Sequence, residues 1–324
     1  MRSGTSSTAL LIAAGFVACR PQIDDDASRV EGPRILAVRV EPPEAKPNAP
    51  VMLTALYTDG SRAVVEGSLP SLAWSFCTTR RALAEPDPLD PACLSGAASL
   101  VVGRGSPRVA AKVPRDACRT FGPDLPLAKA GEPAGRPADP DGTGGFFQPG
   151  IVGGAGASSS EFEVRVQCSL ASVTREVSAL FEQRYHANSN PEIARIARVF
   201  SDHVEFIPDG VELDATPRER VRLRVEWDDC VDDTSCAGAE HYVSYDVDAK
   251  QLKDRREALT VSWLTSAGSF TSPRSGRSET DLATTSESEW IAPESAATGT
   301  LFIVLRDSRS GAAFRTIPVR VAAR

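Results

Sequence analysis

The sequence is poor in the residues that most often carry chemistry. Its three histidines, His186, His203 and His241, stand far apart, and no two cysteines have the CxxC spacing of a zinc or redox motif. There is no GxSxG elbow, no HExxH, no phosphate-binding loop and no dinucleotide fingerprint. The remaining route to hydrolase chemistry is a carboxylate pair among the 43 acidic residues, as in glycoside hydrolysis. Lysine is scarce beside arginine, and positive charge is not clustered. With 36 basic residues and a net charge of −7, the chain lacks the electrostatic footprint that nucleic acid requires. Catalytic residues, cofactors and a nucleic-acid partner are therefore not expected.

What is present begins with an export signal. Arg2 supplies a positive charge, and Ala9 to Ala18 form an apolar run of about ten residues, the length of a signal h-region and too short for a bilayer core of roughly 30 Å. No later stretch approaches membrane-spanning length. Phe16-Val17-Ala18-Cys19 resembles the lipobox of bacterial lipoproteins, with Phe16 where leucine is usual. The resemblance implies a signal peptide over 1–18 and lipid on Cys19. By likeness to Gram-negative sorting, Arg20 after the cysteine implies the outer membrane. Residues 19–32, with Asp24-Asp25-Asp26, are polar and pattern-free and read as a flexible tether. Ordinary secretion, with cleavage nearby, is the competing reading.

Once Cys19 is set aside, six cysteines remain, Cys77, Cys93, Cys118, Cys168, Cys230 and Cys236, an even number suited to an oxidising compartment. Six allow about fifteen pairings, and the sequence does not choose among them. Cys230–Cys236 closes the shortest loop; Cys77–Cys93 and Cys118–Cys168 follow by proximity.

Abundant turn formers and period-two patterns predict an all-β fold. Leu36, Val38 and Val40 alternate with polar neighbours, and after Pro47 so do Val51, Leu53, Ala55 and Tyr57. Pro217 stands in the same relation to Val221, Leu223, Val225 and Trp227: four residues to the first inward side chain, then steps of two. A strand carrying tryptophan follows each copy, at Trp74 and Trp263, and a hairpin over Leu301–Leu305 and Phe314–Val321 closes the chain. The repeat predicts two tandem sandwiches, 33–187 and 188–324. Inward tryptophan between sheets resembles immunoglobulin-like domains, although no cysteine pair flanks it. Residues 122–160, rich in Pro, Gly, Ala and Ser, predict a long surface loop. Leu170, Val173, Val177, Leu180 and Phe181 predict a helix over 170–184 packed on a sheet, and 188–191 a linker.

The order of lipobox, Arg34–Val38 strand, Asp139-Pro140-Asp141-Gly142-Thr143-Gly144-Gly145-Phe146-Phe147-Gln148-Pro149, and Gln183-Arg184-Tyr185 before Asn190-Pro191 resembles a group of uncharacterised myxobacterial envelope lipoproteins with tandem bacterial Ig-like domains. The resemblance covers most of the chain. It implies an envelope location and brings no activity with it.

Candidate sites are few. Asp139 to Gly144 begins like a calcium loop, but Gly150 stands where the twelfth-position glutamate is needed, so a solvated turn is the better reading. Asp228, Asp229, Asp232 and Asp233, flanked by Glu226 and Glu240, are calcium candidates in the loop closed by Cys230 and Cys236, against the plainer reading of an exposed acidic loop. Ser269 to Glu289 predicts a long exposed loop. Phe146, Phe147 and Trp290 are the aromatics open to display for sugar stacking, with local packing the preferred reading. Together these residues describe an envelope lipoprotein whose partners are the membrane, through its lipid, and an envelope protein or polysaccharide. A structural or protein-interaction role is preferred, a carbohydrate- or peptidoglycan-binding module is the alternative, and a hydrolase comes third.

Overall fold

A computed structural model describes residues 28–62, 71–80, 89–124, 139, 141–154, 157–230 and 236–323. The chain is all-β. Its first half contains β1 (Arg34–Glu41), β2 (Glu44–Ala45), β3 (Pro50–Thr58), β4 (Leu72–Cys77), α1 (Pro91–Leu94), β5 (Ser99–Arg104), β6 (Arg108–Lys112), α2 (Ala117–Phe121), β7 (Gly145–Gly154) and β8 (Ala157–Gln167). After α3 (Arg175–Arg184) come β9 (Arg195–Val199), β10 (Val204–Phe206), β11 (Leu213–Ala215), β12 (Arg220–Glu226), β13 (His241–Asp246) and β14 (Gln251–Arg256). The chain ends with β15 (Leu259–Thr265), β16 (Ser269–Phe270), β17 (Arg274–Arg277), β18 (Thr285–Ile291), β19 (Ala297–Asp307) and β20 (Ala312–Val321).

The two halves share one strand order. In the first, β1-β3-β6 packs on β2-β8-β7-β4-β5; in the second, β10-β9-β12-β18-β16 packs on β11-β20-β19-β15-β17. A short strand in each half, β2 or β11, crosses to pair in parallel with the last strand, β8 or β20. This is an immunoglobulin-type sandwich order, with tryptophan on the equivalent strands β4 and β15. Each half has its own core. Leu53, Trp74, Val152 and Val164 anchor the first, and Leu223, Trp263, Trp290 and Ile303 the second. The buried indoles donate to Ser106 O from Trp74, to Ser275 Oγ from Trp263 and to Ala267 O from Trp290.

The sequence repeat has a backbone cause. Ala49 N donates to Lys46 O and Glu219 N to Thr216 O, closing matching four-residue turns. Asn48 (φ 65°) and Arg218 (φ 62°) hold the left-handed position in each. Proline one residue earlier and positive φ after it describe a type II turn. That turn launches β3 and β12 with the same inward register.

Several expectations need correction. The surface loop predicted over 122–160 contains β7, which lies between β4 and β8. Its glycines hid it from a propensity reading, yet Gly150 makes room for the Phe162 ring. The exposed loop predicted over 269–289 contains β16, β17 and the start of β18. The preferred local packing of the three aromatics, by contrast, is what the structure has: Phe146 and Trp290 are buried, and Phe147 lies half-buried beneath the Arg165 guanidinium, 5.5 Å from its ring centre. The tether predicted over 19–32 is docked from Ser28 onward. Val30 N donates to Thr265 O, Thr265 N to Ser28 O, and Phe270 N to Ser28 Oγ, so this segment lies against the second sandwich. A lone Val30 among polar residues makes no periodic signal. Cys19 lies outside the described residues.

The sandwiches lie side by side. Ala37 and Leu56, on the outer face of β1-β3-β6, pack with Val30 against Phe302 and Val304 of β19. A bulge between Ile35 and Ala37 turns Ala37 to this outer face while Ile35 stays in the first core. Both faces of β19 are thus covered, which explains the unbroken apolar run Leu301 to Leu305.

Candidate functional site

The three disulfides are Cys77–Cys93, Cys118–Cys168 and Cys230–Cys236, with Cα separations of 5.3, 5.4 and 5.5 Å. The first fastens α1 to the end of β4, where Leu89, Phe121 and Ile151 pack around it. Asp228 and Asp229 are exposed, and Asp232 and Asp233 lie outside the described residues. Among the described residues no group of three or more His, Cys, Asp or Glu side chains is arranged to hold a metal.

The chemistry-bearing side chains instead converge on the junction between the sandwiches, where the sequence predicts only turns and a linker. From the first half come Glu44 on β2, Arg165 beside it on β8, and the Asp139–Gly145 turn. The second half contributes Glu240 and Glu257 at the mouth of the β13–β14 hairpin, and Asp307 and Arg309 from the β19–β20 turn. Tyr185, Asn188, Ser189 and Asn190 run between them.

Arg309 is the centre. Its Nε donates to Glu257 Oε1 at 2.7 Å and its Nη2 to Glu240 Oε2 at 2.8 Å. Its Nη1 reaches across to Tyr185 OH at 3.4 Å and His186 O at 3.3 Å, with Glu44 at 3.9 Å. The guanidinium lies 4.6 Å from the centre of the Tyr242 ring. Glu44 accepts from Tyr185 OH at 2.7 Å and from Asn188 N at 3.0 Å. Asn190 Nδ2 donates to Val40 O, and its Oδ1 accepts from Ala312 N, so one amide stitches β1 to β20. The expected linker is therefore a buried seam.

The motif read as a turn is a second bracket across this seam. Asp139 accepts from the backbone N–H of Asp141, Thr143 and Gly145 and from the Thr143 hydroxyl, which itself accepts from Arg165. Gly142 (φ 66°) meets the β13 backbone: Tyr245 N donates to Gly142 O at 2.6 Å, and a Cβ on Gly142 has no room beside Tyr245 O. The turn is buried, so the solvated reading is corrected. Helix α3, capped by Thr174 Oγ1, packs Phe181 and Tyr185 against Val243 and Leu252 of the same hairpin. It is the sheet-packed helix expected, but the sheet belongs to the second half.

Burial sets the electrostatics. Glu257 is fully enclosed, and desolvation, reinforced by Asp307 and Glu240 and opposed by Arg309, pushes its carboxyl up to about 8. Asp307 is also pushed up by burial, against hydrogen bonds from Gly311 N, Arg309 N and Asn188. Arg309 is held in its charged form by Glu257, Tyr185 and Glu44, which overcome its own desolvation. Such a cluster can fix the relative placement of two domains and respond to protons.

A groove of about 340 Å³ runs beside the seam, between β1, β8 and the β19–β20 hairpin end, with Glu161 and Glu163 on one side and Arg306 on the other. Its edge is partly satisfied from within: Arg306 Nη2 donates to Leu36 O and Ser160 Oγ to Ile35 O.

No protein-family model and no curated protein matches the sequence. Among solved structures, the chain is similar to dimeric latent PorU from Porphyromonas gingivalis, at 14% identity and a TM-score of 0.21 over 91% of this chain and 24% of that one. It is also similar to Escherichia coli alpha-2-macroglobulin activated by porcine elastase, at 11% identity and a TM-score of 0.22 over 91% of this chain and 22% of that one. The chain spans about a quarter of the length of these proteins, and at such scores the likeness assigns neither family nor activity.

Proposed function

We propose that the chain is a non-enzymatic cell-envelope lipoprotein, anchored through lipid on Cys19, whose two sandwiches are locked into one rigid unit for binding another envelope component. The observation that carries this reading is the junction. Its ionisable side chains are enclosed and bonded to one another, so they serve the arrangement of the sandwiches rather than a reaction. Three disulfides suit an oxidising compartment. The signal and lipobox-like segment supply the anchor. Among the described residues no helix is long and apolar enough to cross a membrane. The carbohydrate-binding alternative draws less support, because all four tryptophans are buried and none offers a stacking face to sugar.

Intact mass and membrane fractionation of the expressed protein test the anchor, with Cys19→Ala as control. The wild type is expected to gain the mass of acylation and to sediment with membranes, while the variant stays soluble. A wild type that matches the variant in both respects overturns the reading.

A further inference from the structure

We infer that the junction is a proton-operated latch, which holds the sandwiches together while its buried acids retain a proton and loosens one from the other in alkaline solution. Five buried carboxyl groups, Glu44, Asp139, Glu240, Glu257 and Asp307, share the seam with the buried guanidinium groups of Arg165 and Arg309, while a third buried guanidinium, that of Arg256, donates to Asp281 O. Full ionisation would leave an excess of negative charge out of contact with water, where its cost is high. The donors are unequally shared. Asp139 has three backbone N–H groups and a hydroxyl, and Asp307 has Arg309 N, Gly311 N and the Asn188 amide. Glu257 has Arg309 Nε and Glu240 N, and no exposure to solvent. Glu44 and Glu240 also have two donors each, and the retained proton is assigned to Glu257 because it is enclosed beside two further acids, Glu240 and Asp307.

The groups facing Glu257 come from every element around it. Glu240 and Tyr242 stand on the hairpin, Arg256 precedes it in the chain, Asp307 and Arg309 stand on the turn, and Glu44 and Tyr185 lie beyond Arg309. Arg309 is divided between its own sandwich, through Glu257 and Glu240, and the other side, through Tyr185, His186 O and Glu44. Ionised Glu257 draws Arg309 towards its own sandwich. Glu44 then faces, across the seam, a negative cluster that has lost its counter-ion. The sign follows from linkage. A carboxyl raised from an ordinary 4.5 to about 8 in the folded chain contributes stability that is complete below the ordinary value. That contribution disappears as pH rises through the folded value. The apolar part of the interface, Val30, Leu56 and Phe302, does not titrate, so the loosening acts at the seam and leaves both cores folded.

The full chain and its Glu257→Gln variant are compared by small-angle scattering and thermal melting between pH 6.5 and 9.5. The wild type is expected to lose several degrees of melting temperature and to expand as pH rises from 6.5 towards 8, and to level off above that value. The variant, which cannot ionise, is expected to remain compact with a flat profile. A wild type of constant size and melting temperature overturns the latch, as does a variant that follows the wild-type profile. Should the variant not fold, infrared spectroscopy of the wild type decides. A protonated-carboxyl stretch that disappears with a midpoint near pH 8 supports the latch, and its absence at pH 6.5 overturns it.

Discussion

Arg309 lies within a hairpin turn and has only 1% of its surface in contact with solvent. Its guanidinium is enclosed by Tyr185 at the end of α3 and by Glu240, Tyr242 and Glu257 of the β13–β14 hairpin. Removing one partner of a buried ion pair leaves the other without compensation, a loss of about 3–5 kcal/mol. Arg309→Met is therefore expected to lower the unfolding free energy by about that amount in urea titration. Adding Glu240→Gln, which removes the carboxylate paired with Arg309 Nη2, should restore part of the loss, because the two groups are coupled. The sequence made the turn legible, since Asp307-Ser308-Arg309-Ser310-Gly311 has turn composition. It could not show where Arg309 points, because its surroundings are assembled from residues as far away as Glu44. The Asp139 turn was legible for the same reason, but its burial was not, because its carboxylate is occupied by its own backbone inside a junction built from distant residues.

At the scale of elements, the most readable feature was the repeat. Pro47-Asn48 and Pro217-Arg218 adopt the same turn, and the strands that follow keep alternate side chains inward. Asparagine tolerates the left-handed conformation, while arginine pays about 1–2 kcal/mol for it. Arg218 has an exposed pairing with Glu294, which contributes little. Arg218→Gly is accordingly expected to raise the melting temperature by about 2–4 °C, read by calorimetry. Gly142 works in the opposite direction. Gly142→Ala places a methyl against the Tyr245 carbonyl at a positive φ and is expected to destabilise the seam by about 1–3 kcal/mol in denaturant titration. Strand β7 was unreadable because its inward positions include Gly150 and Gln148, which carry no apolar signal; the partner ring of Phe162 fills the space instead. Strand β19 was found, yet its unbroken apolar run already meant that something covers its second face.

For the whole molecule, the repeat correctly implied two sandwiches of one kind but left their arrangement open. A tandem array joined by a free linker is elongated; this chain folds back so that β1 and β3 lie on β19. Solution scattering at neutral pH is expected to give a radius of gyration near about 20 Å, the value of a compact chain of this length, rather than the larger one of two separated domains. No local pattern encodes that outcome. It depends on Leu56 and Phe302, which the alternation alone would turn towards water.

The docked leader has a mechanical consequence. Ser28 to Val30 is bonded along Thr265 of the second sandwich, and the following Gly32 backbone rests against Gly60 of the first. Tension applied to the amino terminus is therefore not carried by the first sandwich alone. It loads the two Thr265 backbone bonds along the strand axis, in shear, at the line where both halves meet. A chain hung by its amino-terminal end would bear its load through both halves together.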